Sequence, residues 1–314
     1  MEEIRLITCA GVEHDLALLP HFINYYKGIG IPSENMHFIL QAAHADSPEM
    51  DQALAILNRY DITPSEIWIA PYTSATMWEK RREIQQRVAK EDDWIISADV
   101  DEFHEFPDEL RIFLAYCNKK GINCVQGVFI DRLTADGTLA PIKDSPPLWE
   151  QFPVQADVIC TIRQDDKWGW ESGTVNIMAC KGYLLPKIGG HSPMNNGKPI
   201  KYTFGSRQLA YYSGIKNSSI RFMIPLRVHH FKWNQALLTS LQKRMATPGI
   251  SPEGKSYGNL LLKHLGSEYK IQIDKMPVRK SSILEKLPWR TQLSLLHLRN
   301  KSVSAYRKIL SKLK

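Results

Sequence analysis

The amino-acid sequence predicts an α/β protein: a mostly parallel central sheet flanked by helices, followed by a basic helical extension. Three observations carry this. The first half alternates short apolar runs with amphipathic stretches of about 10–15 residues, the pattern of strands joined by helices. Hydrophobic residues make up 43% and charged residues 23% of the 314, a balance that supports a packed core and argues against wholesale disorder. No apolar run approaches the ~18 residues of a membrane-spanning helix.

The elements follow in order. Ile4 to Thr8 is a β-branched apolar run closed by Ala10-Gly11, the first strand. Leu16 to Gly28 has helical spacing, and Met36 to Leu40 is the second strand. Ser47-Pro48 opens a helix reaching Tyr60, because serine caps free amides and proline fits the first turn. Ile67 to Ala70 is the third strand, Met77 to Lys90 a polar helix, and Trp94 to Ser97 the fourth strand. A helix over Pro107 to Lys120 precedes a strand from Cys124 to Ile130. The pattern then loosens. Pro141 to Pro153 is proline-rich, and Asp165 to Gly173 is rich in Trp, Gly and acids. Val175 to Cys180 and Ile220 to Phe231 read as strands around a long loop, Gly189 to Gly205, where a binding site or mobile lid belongs.

Charge is unevenly placed. The net charge is +7, but Lys275 to Lys314 alone carries 11 basic residues against Glu285, leaving −3 on the other 274 residues. That distribution removes most support for nucleic-acid binding by the body of the protein. The five cysteines are scattered without a C-x-x-C pair, so they signal buried small hydrophobes, not a zinc cluster or a disulfide framework. The start, Met1-Glu2-Glu3, is acidic and lacks a signal-peptide pattern, so the expected location is the cytoplasm.

The chemistry concentrates in Trp94-Ile95-Ile96-Ser97-Ala98-Asp99-Val100-Asp101-Glu102-Phe103, an apolar strand running into three carboxylates. Unpaired buried carboxylates cost several kcal/mol, so their clustering calls for a cation or a solvent-exposed strand end. Hard ions such as Mg²⁺ and Mn²⁺ take oxygen ligands and also hold phosphate oxygens. On an extended segment the two aspartates of D-x-D share one side. The plainer reading is a solvated turn before the helix that starts at Pro107-Asp108-Glu109. A second element, Val228-His229-His230-Phe231-Lys232-Trp233, offers imidazole to complete a site begun by carboxylates.

The chain resembles the GT-A glycosyltransferases of the family 2-like and family 92-like type. The resemblance rests on Leu19-Pro20-His21-Phe22-Ile23-Asn24-Tyr25-Tyr26-Lys27-Gly28-Ile29-Gly30, then Asp99-Val100-Asp101-Glu102-Phe103, then His230-Phe231-Lys232, and covers roughly residues 4 to 245. It implies a GT-A-type nucleotide-binding fold over residues 1–245, with a donor half to about 130, an acceptor half from 131, and an extension over 246–314. It further implies that Asp99 and Asp101 lie at the donor site with Mn²⁺ or Mg²⁺, Asp101 as metal ligand and Asp99 nearer the ribose and metal. His230 becomes the late ligand, since it directly precedes the aromatic residue. The loop from Thr8 through Ala10 to Glu13 wraps the nucleoside, and Arg81 or Gln85 reaches the nucleotide or else lines a solvated helix face. The "E-D" pair common in family 2 has no copy here. Lys181-Gly182-Tyr183-Leu184-Leu185-Pro186 followed by Gly189-Gly190-His191 is similar to a family 92-like segment, so His191 competes with Asp165, Asp166 and Glu171 for the role of general base.

The expected activity is transfer of a sugar from a nucleotide-diphosphate sugar, a UDP-sugar foremost, to a hydroxyl of a glycan or lipid-linked acceptor, with inversion. Trp149, Trp168 and Trp170 are candidates for stacking on sugars, or for packing. A metal-dependent phosphohydrolase or nucleotidyltransferase is the rival enzyme class. The dehalogenase-type phosphatases, however, place D-x-D on the first strand with Thr two positions on, where this chain has Phe103. A non-enzymatic carbohydrate-binding or membrane-docking protein is the third class. From Pro288 onward a helix aligns Leu293, Leu296, Val303, Tyr306, Leu310 and Leu313, with cations largely off that stripe. This suits either an anionic membrane surface, over 288–314, or packing on the body.

Overall fold

The structure, a computed structural model, describes residues 2–163, 174–194, 197–246 and 252–312, and the side chains of all of these except 244, 253 and 304–312. β1 (Ile4–Gly11) leads through α1 (Val12–Asp15) into α2 (Leu19–Gly28), followed by β2 (Met36–Ala42), α3 (Pro48–Asn58), β3 (Glu66–Ile69), α4 (Ser74–Val88) and β4 (Trp94–Ser97). Next come β5 (Glu102–Glu105), α5 (Leu110–Lys120), β6 (Cys124–Leu133), α6 (Leu148–Gln151), β7 (Val154–Ala156), α7 (Ile159–Ile162) and β8 (Val175–Lys181). The chain ends with α8 (Ser218–Phe222), β9 (Arg227–His230), α9 (Ala236–Ala246), α10 (Pro252–Leu265) and α11 (Trp289–Lys312).

These strands form one sheet in the order β3-β2-β1-β4-β8-β6-β9-β5, with β7 added to β6. The pairs β1–β2, β1–β4, β2–β3 and β6–β9 are parallel. β4–β8, β6–β8, β6–β7 and β5–β9 are antiparallel. β1 to β4, β6 and β9 therefore share one direction, and the sheet is mostly parallel. It is also curled. β4 and β5 stand four places apart in the order, about 19 Å across a flat sheet at the usual strand spacing. The link between them is only residues 98–101, which would reach roughly 17 Å if fully extended. A turn shortens it further, so the β8-β6-β9-β5 part of the sheet must curl to bring β5 back toward β4 around the D-x-D segment.

β1 shows how the sheet is packed. Ile4, Leu6 and Ala10 face one core with α2 and α3 residues such as Phe22, Ile23 and Leu57. Ile7 and Cys9 face a second core beneath α4, with Met77, Trp78 and Ile84. A strand buried on both faces reads as a continuous apolar run, which is why β1, β2 and β4 stand out in the sequence. All five cysteines are buried and unpaired.

Several expected boundaries change. β1 runs to Gly11, because it pairs with β2 as far as Gly11 opposite Gln41; the expected loop Thr8 to Glu13 is therefore strand end plus α1. Ile220 to Phe231 is not one strand. Asn217 caps α8 by accepting from the Ser219 amide at 2.8 Å, and Pro225 separates it from β9. D-x-D is not extended either: the Glu102 amide donates to the Asp99 carbonyl at 2.9 Å, closing a turn with Val100 buried inside it.

The C-terminal extension packs on the body. Leu261, Leu265 and Ile271 join Val158, Ile159 and Trp233 in a third core. Leu293 and Leu296 of α11 are buried in the main core, and the Tyr212 hydroxyl donates to the Leu296 carbonyl at 2.6 Å. The start of the apolar stripe is thus structural packing; Leu313 and Lys314 lie outside the described residues. Among those residues, no helix is long and apolar enough to cross a membrane.

Candidate active site

The site forms where the carboxyl ends of β1 and β4 meet β9, the region where open α/β sheets bind ligands. The Asp99–Glu102 turn presents Asp99 to solvent and the mostly buried Asp101 to the end of β9, while the chain continues into β5. Two tyrosines of α2 hold that segment from behind. Tyr26 donates to the Glu102 carbonyl at 3.0 Å and Tyr25 to the His104 carbonyl at 2.8 Å. The paired aromatics of the first long helix therefore act mechanically, fixing the backbone that carries the carboxylates.

The three acids of the motif separate by environment. The Asp99 side chain is 49% exposed, and its Oδ1 accepts from Nη2 of buried Arg81 at 2.6 Å. Arg81 also donates to the Ala98 carbonyl at 3.2 Å and lies over Trp78, with 4.9 Å from guanidinium to ring. Asp101 Oδ2 is 3.4 Å from His230 Nε2. Glu102 turns inward. Its Oε2 accepts from the Asn176 side-chain amide at 2.8 Å, and burial together with the nearby Asp99 charge raises its pKa. It braces the turn from inside.

His230 is held on both sides. Its Nδ1 is 3.1 Å from Asp131 Oδ1, which also accepts from Trp233 Nε1 at 2.8 Å. The other oxygen of Asp131 accepts from the Val158 and Ile159 amides at 2.9 and 2.8 Å. A carboxylate on Nδ1 fixes the ring and aims Nε2 at Asp101, as in carboxylate–histidine–metal arrangements. Burial lowers the His230 pKa, but the Asp101 and Asp131 carboxylates outweigh it and raise the group to about 10. Burial opposes ionisation of Asp101, yet the facing imidazolium and Lys232 hold its pKa below the usual carboxylate range. Among the described residues, no group of three or more His, Cys, Asp or Glu side chains is arranged to hold an ion.

Asp15, at the end of α1, completes the electrostatics. Its Oδ2 accepts from the Gly11 amide at 2.8 Å. Burial first, then the neighbouring Asp101 and Asp99 charges, raise its pKa to about 8. Sequence reading missed Asp15 and Asp131. Asp131 had one signal, an acid inside the apolar run Phe129-Ile130-Asp131-Arg132-Leu133; Asp15 had none beyond its place after the first strand.

The other expected site residues divide. Thr8 and Ala10 are buried within β1, so only the strand's backbone end faces the site. Glu13 Oε1 accepts from the Ala43 amide at 3.1 Å and its other oxygen pairs with Lys243 at 3.5 Å, tying α1 to the end of β2 and to α9. Gln85 is buried and donates to the Gly182 and Leu184 carbonyls, both at 3.0 Å; both amide protons are committed to the scaffold. His191 does approach: its ring makes a 2.8 Å bond from Nδ1 to the Val175 carbonyl, which leaves Nε2 as the free acceptor. Burial, opposed by that bond, lowers its pKa to about 4. Gly190 enables this placement. It has φ +71°, and a Cβ there would sit 2.8 Å from Asn176 and from Trp78. Trp149 packs against Tyr25, His229 and Phe231 on the other side of the sheet from His230. Asp165, Asp166, Trp168, Trp170 and Glu171 lie outside the described residues.

No protein-family profile matches the chain, and no curated protein matches it in sequence. Solved structures similar to it include TarS 1-349 from S. aureus, at 8% identity and a TM-score of 0.32, over 92% of this chain and 78% of that one. The same protein in complex with UDP-GlcNAc aligns over 42% of this chain and 34% of its own, at 9% identity and a TM-score of 0.27. Mouse xyloside xylosyltransferase 1 aligns over 58% and 68%, at 11% identity and a TM-score of 0.23. With TM-scores this far below 0.5, the functional reading stands on the site's own residues.

Proposed function

We propose that this chain is a divalent-metal-dependent glycosyltransferase of the GT-A type, moving a sugar from a UDP-sugar to a hydroxyl of a glycan or lipid-linked acceptor. The observation that carries the reading is the meeting of Asp101 with His230, 3.4 Å apart, from segments 129 positions apart, beside an aspartate already held by a buried arginine. The residues present would suit Mn²⁺ or Mg²⁺, Asp101 offering a carboxylate oxygen and His230 an oriented imidazole nitrogen. The chemistry such an ion supplies when bound is Lewis-acid neutralisation of the departing diphosphate.

The chain's own residues divide the remaining work. Arg81 fixes the Asp99 carboxylate so that its second oxygen is free to accept from a ribose hydroxyl. The His230 imidazolium would have to lose its Nε2 proton to hold an ion, and Asp131, on Nδ1, would then hold the remaining proton there and keep Nε2 turned toward Asp101. Lys232, close enough to Asp101 to stabilise its charge, adds positive charge where a diphosphate would lie. His191, neutral through the physiological range, accepts a hydrogen bond from a sugar hydroxyl; its low basicity leaves proton removal from the acceptor to another group, with Asp166 and Glu171 the candidates. Inversion is the stereochemical outcome that the family resemblance implies.

The test is release of UDP from a panel of UDP-sugars with Mn²⁺. Wild type should turn over at least one donor, while excess EDTA and Asp101→Ala each abolish the reaction with the fold retained. Full turnover in EDTA, or in the Asp101→Ala variant, would remove the metal from the reading.

A further inference from the structure

A second cavity, of about 610 Å³, lies on the sheet face opposite the carboxylate site. His229 and His230 are consecutive on β9, so their side chains leave opposite faces. His230 meets Asp101, whereas His229 lines this cavity. Its walls join body and extension: Glu105, Arg132, Trp149 and Arg227 come from the body, Arg279, Glu285 and Trp289 from the segment after α10. The volume falls within the range of small-molecule sites.

Its charges do not balance. Arg227 pairs with Glu105 at 2.9 Å and lies 3.5 Å from Glu285, and Arg279 pairs with Glu285 at 2.7 Å. Two carboxylates thus serve two arginines. The third, Arg132, is only 4% exposed. It donates from Nε to the Phe152 carbonyl at 3.0 Å and from Nη2 to the Trp149 carbonyl at 3.3 Å, and its guanidinium stacks 4.9 Å from the Trp149 ring centre. Among the described residues, no ion pair joins Arg132 to a carboxylate. A buried guanidinium with no carboxylate in direct contact is costly, the Glu105 charge reaching Arg132 only from a distance, and one held flat by stacking and two carbonyls presents its remaining donors in fixed directions. Other residues of the cavity wall carry buried atoms without a hydrogen-bond partner: Nε of Arg227, Nε of Arg279, Nδ1 of His229 and, on the acidic side, Oε1 of Glu285, which is engaged only in its ion pairs. His229 Nε2 lies 2.7 Å from Glu105, so in the neutral ring Nδ1 is an acceptor suited to a ligand hydroxyl.

We propose that this cavity is a second ligand site, for a small hydroxylated molecule bearing a phosphate or carboxylate group, with Arg132 as the principal anion contact and Trp149 as its stacking wall. Because Arg279 and Trp289 belong to the extension, an occupant bridges the extension to the body.

The test is thermal unfolding of the full chain in EDTA without nucleotide, titrated with inorganic phosphate or with glucuronate against chloride at equal ionic strength. Wild type and Asp101→Ala should both show a saturable rise in Tm. Arg132→Met and Arg279→Met should each move the half-effect concentration up by at least tenfold. A rise with phosphate alone or glucuronate alone identifies the anion. No rise above chloride with either, an undiminished rise in both arginine variants, or a rise lost in Asp101→Ala and kept in the arginine variants would overturn the proposal; the last would move the anion to the carboxylate site. Should Arg132→Met fail to fold, Arg279→Met decides, since Arg279 lies outside the sheet.

Discussion

Replacing Asp131 with asparagine separates what holds His230 from what merely fills the core. The carboxylate interacts with four nitrogens: two amides on one oxygen, Trp233 and His230 on the other. Asparagine keeps one acceptor oxygen, which can still serve the Val158 and Ile159 amides, and turns an NH₂ toward Trp233 and His230. The Trp233 indole N–H, on a side chain 1% exposed, then loses its acceptor, a loss of about 1–3 kcal/mol. For a chain of this length that corresponds to a fall in Tm of roughly 2–6 °C. The new amide also donates to His230 Nδ1, which then carries no proton and leaves the ring's one proton on Nε2, the nitrogen that a metal ion would need free. Losing the outer partner of a histidine ligand typically costs about 10–100-fold in metal affinity, or roughly 1.4–2.7 kcal/mol. Calorimetric titration of Mn²⁺ into wild type and Asp131→Asn, each with UDP present, measures the second effect; a circular-dichroism melt measures the first. Wild-type Mn²⁺ affinity in a variant with lowered Tm would show that Asp131 is a packing residue only and that His230 is not a ligand.

Three further outcomes are expected. Arg81→Met removes the charge-assisted bond that orients Asp99 and should raise the donor KM about tenfold, the equivalent of a lost hydrogen bond to a charged group; an unchanged KM would place the nucleotide away from Asp99. Tyr26→Phe leaves the buried Glu102 carbonyl without its donor and should cost about 1 kcal/mol, seen as a fall in Tm of about 2 °C; no fall would mean the α2 clamp contributes nothing. Glu105 gives the pH dependence. Burial raises its pKa, but the His229 hydrogen bond and the His229 and Arg227 charges bring it from 4.5 down to about 2. A carboxylate depressed in the folded state contributes stability above its unfolded pKa and loses it as pH falls. The Tm difference between wild type and Glu105→Gln should therefore hold above pH 4.5 and close between pH 4.5 and 2. A difference that widens in acid would reverse the sign of this linkage.

Much of the first half was legible because its elements carry their own local signals. β2, β4 and α5 are within three residues of the expected spans, each an apolar run or stripe bounded by Gly, Pro or polar residues. β5 was not legible. Glu-Phe-His-Glu has no local reason to be extended, and it becomes a strand only by pairing Glu102 to Glu105 with His230 to Arg227, from far along the chain. The same holds within the site. Asp99, Asp101, Arg81 and His230 were identifiable as residue types next to a strand or on a polar helix, and the fold brings them together. Gln85 sits on the same helix as Arg81, but its amide is consumed by two loop carbonyls that no sequence pattern reveals. Asp15 and Asp131 are the converse: their importance comes from what stands beside them in space, the two motif aspartates for one and the His230 ring for the other.

The measurement that bears most directly on the central claim is the affinity of wild type and Asp101→Ala for UDP, by calorimetry, with Mn²⁺ and with EDTA. The account predicts that wild type binds UDP at least tenfold more tightly with Mn²⁺ than with EDTA, and that Asp101→Ala loses this difference while keeping its fold. Equal UDP affinity in Mn²⁺ and EDTA, or an undiminished Mn²⁺ effect in Asp101→Ala, would contradict it.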